Sequence, residues 1–215
     1  MSSATRGGPR VPTGTRAVWL RAAVVIGVFV AVLWLLEAVD WVLGGRLDGG
    51  GIEPRSVDGL WGVLFAPVLH GGFGHLAGNT VPLLVLGFVL LLSGIARWAV
   101  VTATTWVVGG LGTWLVGGAG TIHLGASVLV FGWLSYLLVR GVLNRSVGQV
   151  ALGVVLFLVY GSVLWGVLPG VPGISWQGHL FGAAAGVALA LWLGRRDRDG
   201  RARRSTQVVR QTRRF

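Results

Sequence analysis

The chain has 215 residues, of which 53% are hydrophobic and only 12% charged, with a formal net charge of +11. That is far too apolar for a water-soluble domain of this length and marks a membrane protein. The absence of cysteine excludes disulfides, thiolate metal sites and a cysteine nucleophile.

The polar opening MSSATRGGPRVPTGTR leads into an apolar run too long for a signal-peptide core, with no small-residue cleavage site after it, so the first helix is expected to stay in the mature protein. Crossing a hydrocarbon core of ~30 Å takes about 20 mostly apolar residues. Apolar runs set off by breakers predict six spans, at 22–44, 76–95, 98–117, 126–139, 147–168 and 176–194. The expected organisation is one membrane domain over 17–194, a cytoplasmic tail over 1–16 and a basic tail over 195–215, both tails disordered. The long first loop, 45–74, carries Trp61, Pro54 and Pro67 and is expected to fold onto the membrane surface. The third loop (GGAGTIHLGAS) and the fifth (PGVPGISWQG) are uncharged and glycine-rich, a composition that lets a loop dip into a protein-lined cavity.

All eighteen basic residues are arginines, and they partition by side. Arg6, Arg10, Arg16 and Arg21 precede the first span, Arg97 follows the second, Arg140 and Arg145 follow the fourth, and nine follow the sixth. Six spans put all sixteen on one side, leaving only Arg46 and Arg55 on the other. The positive-inside rule then predicts cytoplasmic termini in an inner membrane. The tail RRDRDGRARRSTQVVRQTRRF is read as attracting anionic lipid, at about 1 kcal/mol per basic residue near the surface, rather than nucleic acid.

Polar side chains inside spans are expensive, and each is a functional candidate. Ser127 is thirteen residues from Arg140, about 20 Å along a helix; His179 is sixteen from Arg195, about 24 Å; Asn79 is about 20 to 27 Å from Leu92 or Arg97. Three reactive groups from three spans thus share one depth. His75 and Asn79, four apart, fall on one helix face. Ser127 begins its helix after Leu124, Gly125 and Ala126, where free N–H groups and the positive dipole end favour developing negative charge. His179 precedes Gly182 and Gly186, a small-residue stripe that lets another helix approach closely. A serine beside a neutral histidine is the minimum for nucleophilic acyl transfer. The second to sixth spans hold no carboxylate, so the pair would be a dyad.

The set HGGFGHLAGN, GASVLVFG and WQGHLFGAAAG, in this order and spacing, resembles the rhomboid family of intramembrane serine proteases. The resemblance covers nearly the whole chain and implies an all-α, six-transmembrane-helix rhomboid-like bundle. It also implies Ser127 as nucleophile and His179 as general base, with Asn79, His75 and the Ser127 N–H stabilising the oxyanion. Phe131 matches the aromatic residue that packs on the base, His70 a further histidine with a structural role, and Gly125 the G-x-S glycine. It implies transmembrane proteins as substrates and no cofactor. One departure is Val128, where the family commonly has glycine.

The plainer readings are these. Ser127 alone is a packing residue, His179 an interhelical hydrogen-bonding residue, and His75 and Asn79 pins of their own helix. His123, four before Ser127, is a rival base on a loop; Glu37 and Asp40 are structural. A metal site from His70, His75 and His179 lacks a carboxylate partner and a zinc-protease motif, so none is expected. Val128 motivates an alternative, an inactive rhomboid-like protein that binds transmembrane helices. A transporter would need ionisable groups along a path through the later spans, which have none besides histidine. The residues carry no reading of oligomeric state.

Overall fold

A computed structural model describes residues 13–144, 147–160, 166–170 and 173–212. Among them the regular structure is helical: α1 (Thr13–Val42), the single turn α2 (Gly62–Phe65), α3 (Phe73–Leu91), α4 (Ile95–Val116), α5 (Ser127–Asn144), α6 (Val147–Tyr160) and α7 (Trp176–Thr212). Apart from α2 these are the six predicted spans, and the fold is an all-α membrane bundle. By length and composition α1, α3, α4 and Trp176–Asp197 of α7 are able to cross a bilayer. The apolar part of α5, Ser127–Leu143, is shorter, about 25 Å by helical rise, so one of its ends lies short of a ~30 Å core.

Boundaries differ from the sequence reading in ways the backbone explains. The second span ends four residues early, at Leu91, because Gly94 takes φ +106°, a region other residues rarely enter. The first helix already runs from Thr13, since Arg16 and Arg21 extend a helix without breaking it. The predicted N-terminal tail lies outside the described residues up to position 12. At the other end α7 continues to Thr212 where a disordered tail is expected; arginine and alanine are strong helix formers, and no proline interrupts the run. The fifth span is described to Tyr160; its predicted continuation through 161–165 lies outside the described residues, as does Arg145.

The core is built around α5, whose Leu129, Phe131, Trp133, Leu134 and Tyr136 are fully buried among α3, α4 and α7. In lipid no hydrophobic force draws helices together, so close approach rests on small residues and interhelical hydrogen bonds. A methyl group on Gly132 of α5 would strike Thr105 of α4, and one on Gly186 of α7 would strike the Gly132 carbonyl. Trp133 donates its indole N–H to Thr102 (3.1 Å), and Ser135 donates to the Ala183 carbonyl (2.9 Å). Near their far ends, Arg97 of α4 and Arg140 of α5 share the Asp197 carboxylate of α7, at 3.0 and 2.9 Å. These contacts make α5 and α7 parallel and directly packed, with α4 antiparallel against both.

The first loop is folded onto the body of the protein. Its Ile52 exchanges two backbone hydrogen bonds with His123 (2.8 and 2.9 Å). Trp106 and Trp114 of α4 donate to the carbonyls of Val63 (2.8 Å) and Ser56 (2.7 Å). Trp61, Leu64 and Phe65 remain exposed on its outer side, an apolar surface suited to lipid.

Candidate active site

Three parallel helices, α3, α5 and α7, begin at the same end of the bundle, and each carries polar side chains in its first two turns. Ser127 is the first residue of α5 and His179 the fourth of α7. The stripe behind them explains their approach: a methyl on Gly182 would lie 2.5 Å from the Val128 carbonyl oxygen, so only glycine admits α5 here. His179 Nε2 is 2.8 Å from Ser127 Oγ, and His179 Nδ1 is 2.9 Å from the Gly166 carbonyl. A carbonyl can only accept, so Nδ1 carries the ring proton. Nε2 is therefore the bare nitrogen, and the Ser127 hydroxyl donates to it. Phe131, one turn after Ser127, stacks on the imidazole at 4.0 Å between centroids and 11° between planes. The ring is thus held by a hydrogen bond at one nitrogen and by an aromatic face, with no carboxylate involved.

The approach to Ser127 is equally constrained. Gly125 takes φ +116°, and a methyl there would lie 2.6 Å from the His75 ring, so both backbone conformation and space require glycine. The N–H of Gly125 donates to the Ala66 carbonyl (2.8 Å) and that of Ala126 to His70 Nε2 (3.2 Å). Ser127 comes next. As the first helical residue its N–H has no acceptor within α5 and faces the positive end of the helix dipole. His70 is 2% exposed. Burial first, and the neighbouring His75 second, hold its imidazole down to about 4, which keeps Nε2 an acceptor at neutral pH. The His70 and His75 rings meet edge to face at 5.2 Å.

Asn79 is buried on α3 and donates its amide to the His75 carbonyl (3.1 Å), a pin on its own helix that leaves its second amide hydrogen uncommitted by that bond. His75, Asn79, Ser127, Phe131 and His179 all line one open cavity of ≈1450 Å³, bordered also by the third and fifth loops through residues such as Thr121, His123, Ile174 and Ser175. The uncharged loops thus do border a cavity.

The structure brings Ser127, His179, Phe131, His75 and Asn79 around one space, with His70 and Gly125 supporting the approach. His123 borders the same cavity but does not meet Ser127: its ring nitrogens meet Ser175 (2.9 Å) and Thr121 (2.8 Å), and it is His179 that reaches Ser127. Val128 is buried, seated in a notch between Gly109 and Gly182 where a methyl on either glycine would strike it. The sequence reading missed Gly166, whose contribution is a backbone carbonyl and so has no side-chain signature. Among the described residues, no group of three or more histidine or acidic side chains is arranged to hold a metal ion.

Comparison with known proteins agrees with this architecture. The model of the Rhomboid domain matches residues 57–196, from the first loop to the end of the α7 span. An uncharacterized protein of Mycobacterium tuberculosis is 48% identical over 207 residues, covering 91% of this chain and 86% of its own. One of Mycobacterium leprae is 45% identical over 202 residues, covering 90% and 80%. With its helices in the expected order and the family's domain matched over well more than half its length, the chain belongs to the rhomboid family.

Proposed function

We propose that this protein is an intramembrane serine endopeptidase that cuts transmembrane proteins in or near their membrane helices, using Ser127 as nucleophile and His179 as general base. The observation that carries the reading is the 2.8 Å hydrogen bond from Ser127 Oγ to a His179 Nε2 whose tautomer the Gly166 carbonyl fixes. Ser127 Oγ attacks the scissile carbonyl carbon while its proton passes to His179 Nε2. The negative charge developing on the carbonyl oxygen is met by the Ser127 N–H, the Asn79 amide and His75. Collapse breaks the C–N bond, and His179 returns its proton to the leaving amine. Water entering from the cavity then gives a proton to His179 as it attacks the acyl-serine, releasing the acid and restoring the hydroxyl.

A peptide bond inside an intact helix is hydrogen-bonded and shielded, so the substrate carries helix-weakening residues and a small residue at the cut. The arginine distribution supports a cytoplasmic-membrane protein with both termini inside and the site toward the outer face. The seating of Val128 between two glycines speaks against the inactive alternative, since it leaves serine and histidine in contact.

The test is cleavage of a model transmembrane substrate by protein reconstituted in liposomes, together with labelling of Ser127 by a fluorophosphonate. Wild type should cut and label, and Ser127→Ala and His179→Ala should do neither while keeping their helical content. A folded wild type that binds the substrate helix but neither cuts nor labels identifies the inactive, helix-binding protein instead.

A further inference from the structure

The Ser127–His179 contact is one of two hydroxyl–imidazole contacts between the same two stretches of chain. His123 lies four residues before Ser127, and Ser175 four before His179. Here the roles are exchanged, with His123 Nδ1 2.9 Å from Ser175 Oγ. Thr121 donates its hydroxyl proton to the Gly118 carbonyl at 2.7 Å, so toward His123 Nε2, at 2.8 Å, it can only accept. Nε2 therefore carries the proton, Nδ1 is bare, and Ser175 donates to it. Burial lowers the His123 pKa and keeps that nitrogen bare near neutrality.

Both partners are fixed on their far sides. The loop bearing His123 is held by the paired backbone bonds to Ile52. Ser175 immediately precedes α7, its carbonyl accepts the His179 N–H at 3.2 Å, and Gly178 packs against it. This second contact thus joins the segment leading into α5 to the turn of α7 that carries the base.

The catalytic cycle gives the contact a use. Once His179 has given its proton to the leaving amine, Ser127 Oγ is an ester oxygen with no proton and Nε2 is bare, so the 2.8 Å bond that aligns His179 is gone. Yet at that stage the imidazole must still take a proton from the attacking water. We propose that His123 and Ser175 form a positioning clamp that holds the first turn of α7 against the start of α5, keeping His179 in register with Ser127 through the acyl-enzyme stage. The clamp rests on the protease reading above, and neither residue touches the reacting atoms.

The experiment compares wild type, Ser175→Ala, Ser175→Thr, His123→Ala and the Ser175→Ala/His123→Ala double variant. It measures kcat and KM in liposomes, fluorophosphonate labelling rate, thermal midpoint and the ¹⁵N resonances of the histidine rings. Ser175→Ala should lower kcat and the labelling rate about ten- to a hundredfold, the loss expected of a misplacement near 1 Å. KM should stay within about twofold, since a bond between two protein groups contributes no uniform substrate binding. The double variant should lose no more than the worse single variant, since the two residues act as one unit. Ser175→Thr, which keeps the hydroxyl, should restore most of kcat, and the His179 Nε2 resonance should shift in Ser175→Ala but not in Ser175→Thr. An active wild type whose Ser175→Ala variant keeps its kcat overturns the clamp and leaves the protease reading standing. A wild type that neither cuts nor labels overturns the protease reading, and with it the use of the clamp. An unmoved His179 resonance in Ser175→Ala overturns the clamp whatever the activity, and Ser175→Ala decides the matter if His123→Ala does not fold.

Discussion

Gly166 gives His179 what a carboxylate gives in a triad, but without its charge: a backbone carbonyl fixes the tautomer and orients the ring. With an uncharged carbonyl as its anchor besides the Ser127 hydroxyl, the ring also leans on its aromatic neighbour, and Phe131 stacks on it almost in parallel. Phe131→Leu keeps apolar volume and loses the stacking face, so kcat should fall about ten- to a hundredfold while Phe131→Tyr remains active, as read by cleavage rates at saturating substrate. His70 makes a prediction about stability. Its folded-state pKa of about 4 lies below the ordinary 6.5, so neutral His70 contributes stability that is fully present above about 6.5. That stability is lost as the pH falls from there toward 4, where the unfolded chain takes up the proton and the folded one does not. The thermal midpoint should fall over this interval, and His70→Asn should flatten the fall. At this scale side-chain chemistry was legible: Ser127, His179, His75 and Asn79 stand out as polar groups in apolar helices. Gly166 was not, because every residue has a carbonyl and only the fold says which one is near an imidazole.

The alternation of chain direction matters most among the helices. Successive spans run oppositely, so α3, α5 and α7 are parallel and their first turns share one end of the bundle. The glycine stripe of α7 then sets how closely α5 approaches. Gly182→Val would drive α7 from the Val128 backbone, which cannot yield as a side-chain tip does. The expected result is a loss of fluorophosphonate labelling with a destabilisation of about 1–3 kcal/mol, measured by thermal unfolding in detergent. Periodicity and breakers located the helices because apolar length and glycine or proline are local properties. The ends were less well read: the left-handed φ of Gly94 and the run of helix to Thr212 depend on backbone conformation that composition only suggests.

For the molecule as a whole, Asp197 links three helices near the end of the bundle remote from Ser127, where Arg97 and Arg140 converge on one carboxylate. Removing its charge would leave the two guanidiniums facing each other. Asp197→Asn should therefore cost about 1.5–3 kcal/mol, the range for hydrogen bonds to charged groups, and the loss should shrink at high salt because the cluster is partly exposed. Thermal midpoints at low and high ionic strength would check this. In the sequence Asp197 is one acid among tail arginines, and nothing there pairs it with residues 57 and 100 positions away. By itself the sequence determined the class of protein, the order of its apolar helices and the polar side chains they carry, because apolar length and functional groups belong to residues wherever they lie. Only the tertiary structure decided which imidazole meets Ser127. His123 is four residues away and bonds Ser175; His179 is 52 away and bonds Ser127, because glycine notches let two parallel helices close to hydrogen-bonding distance.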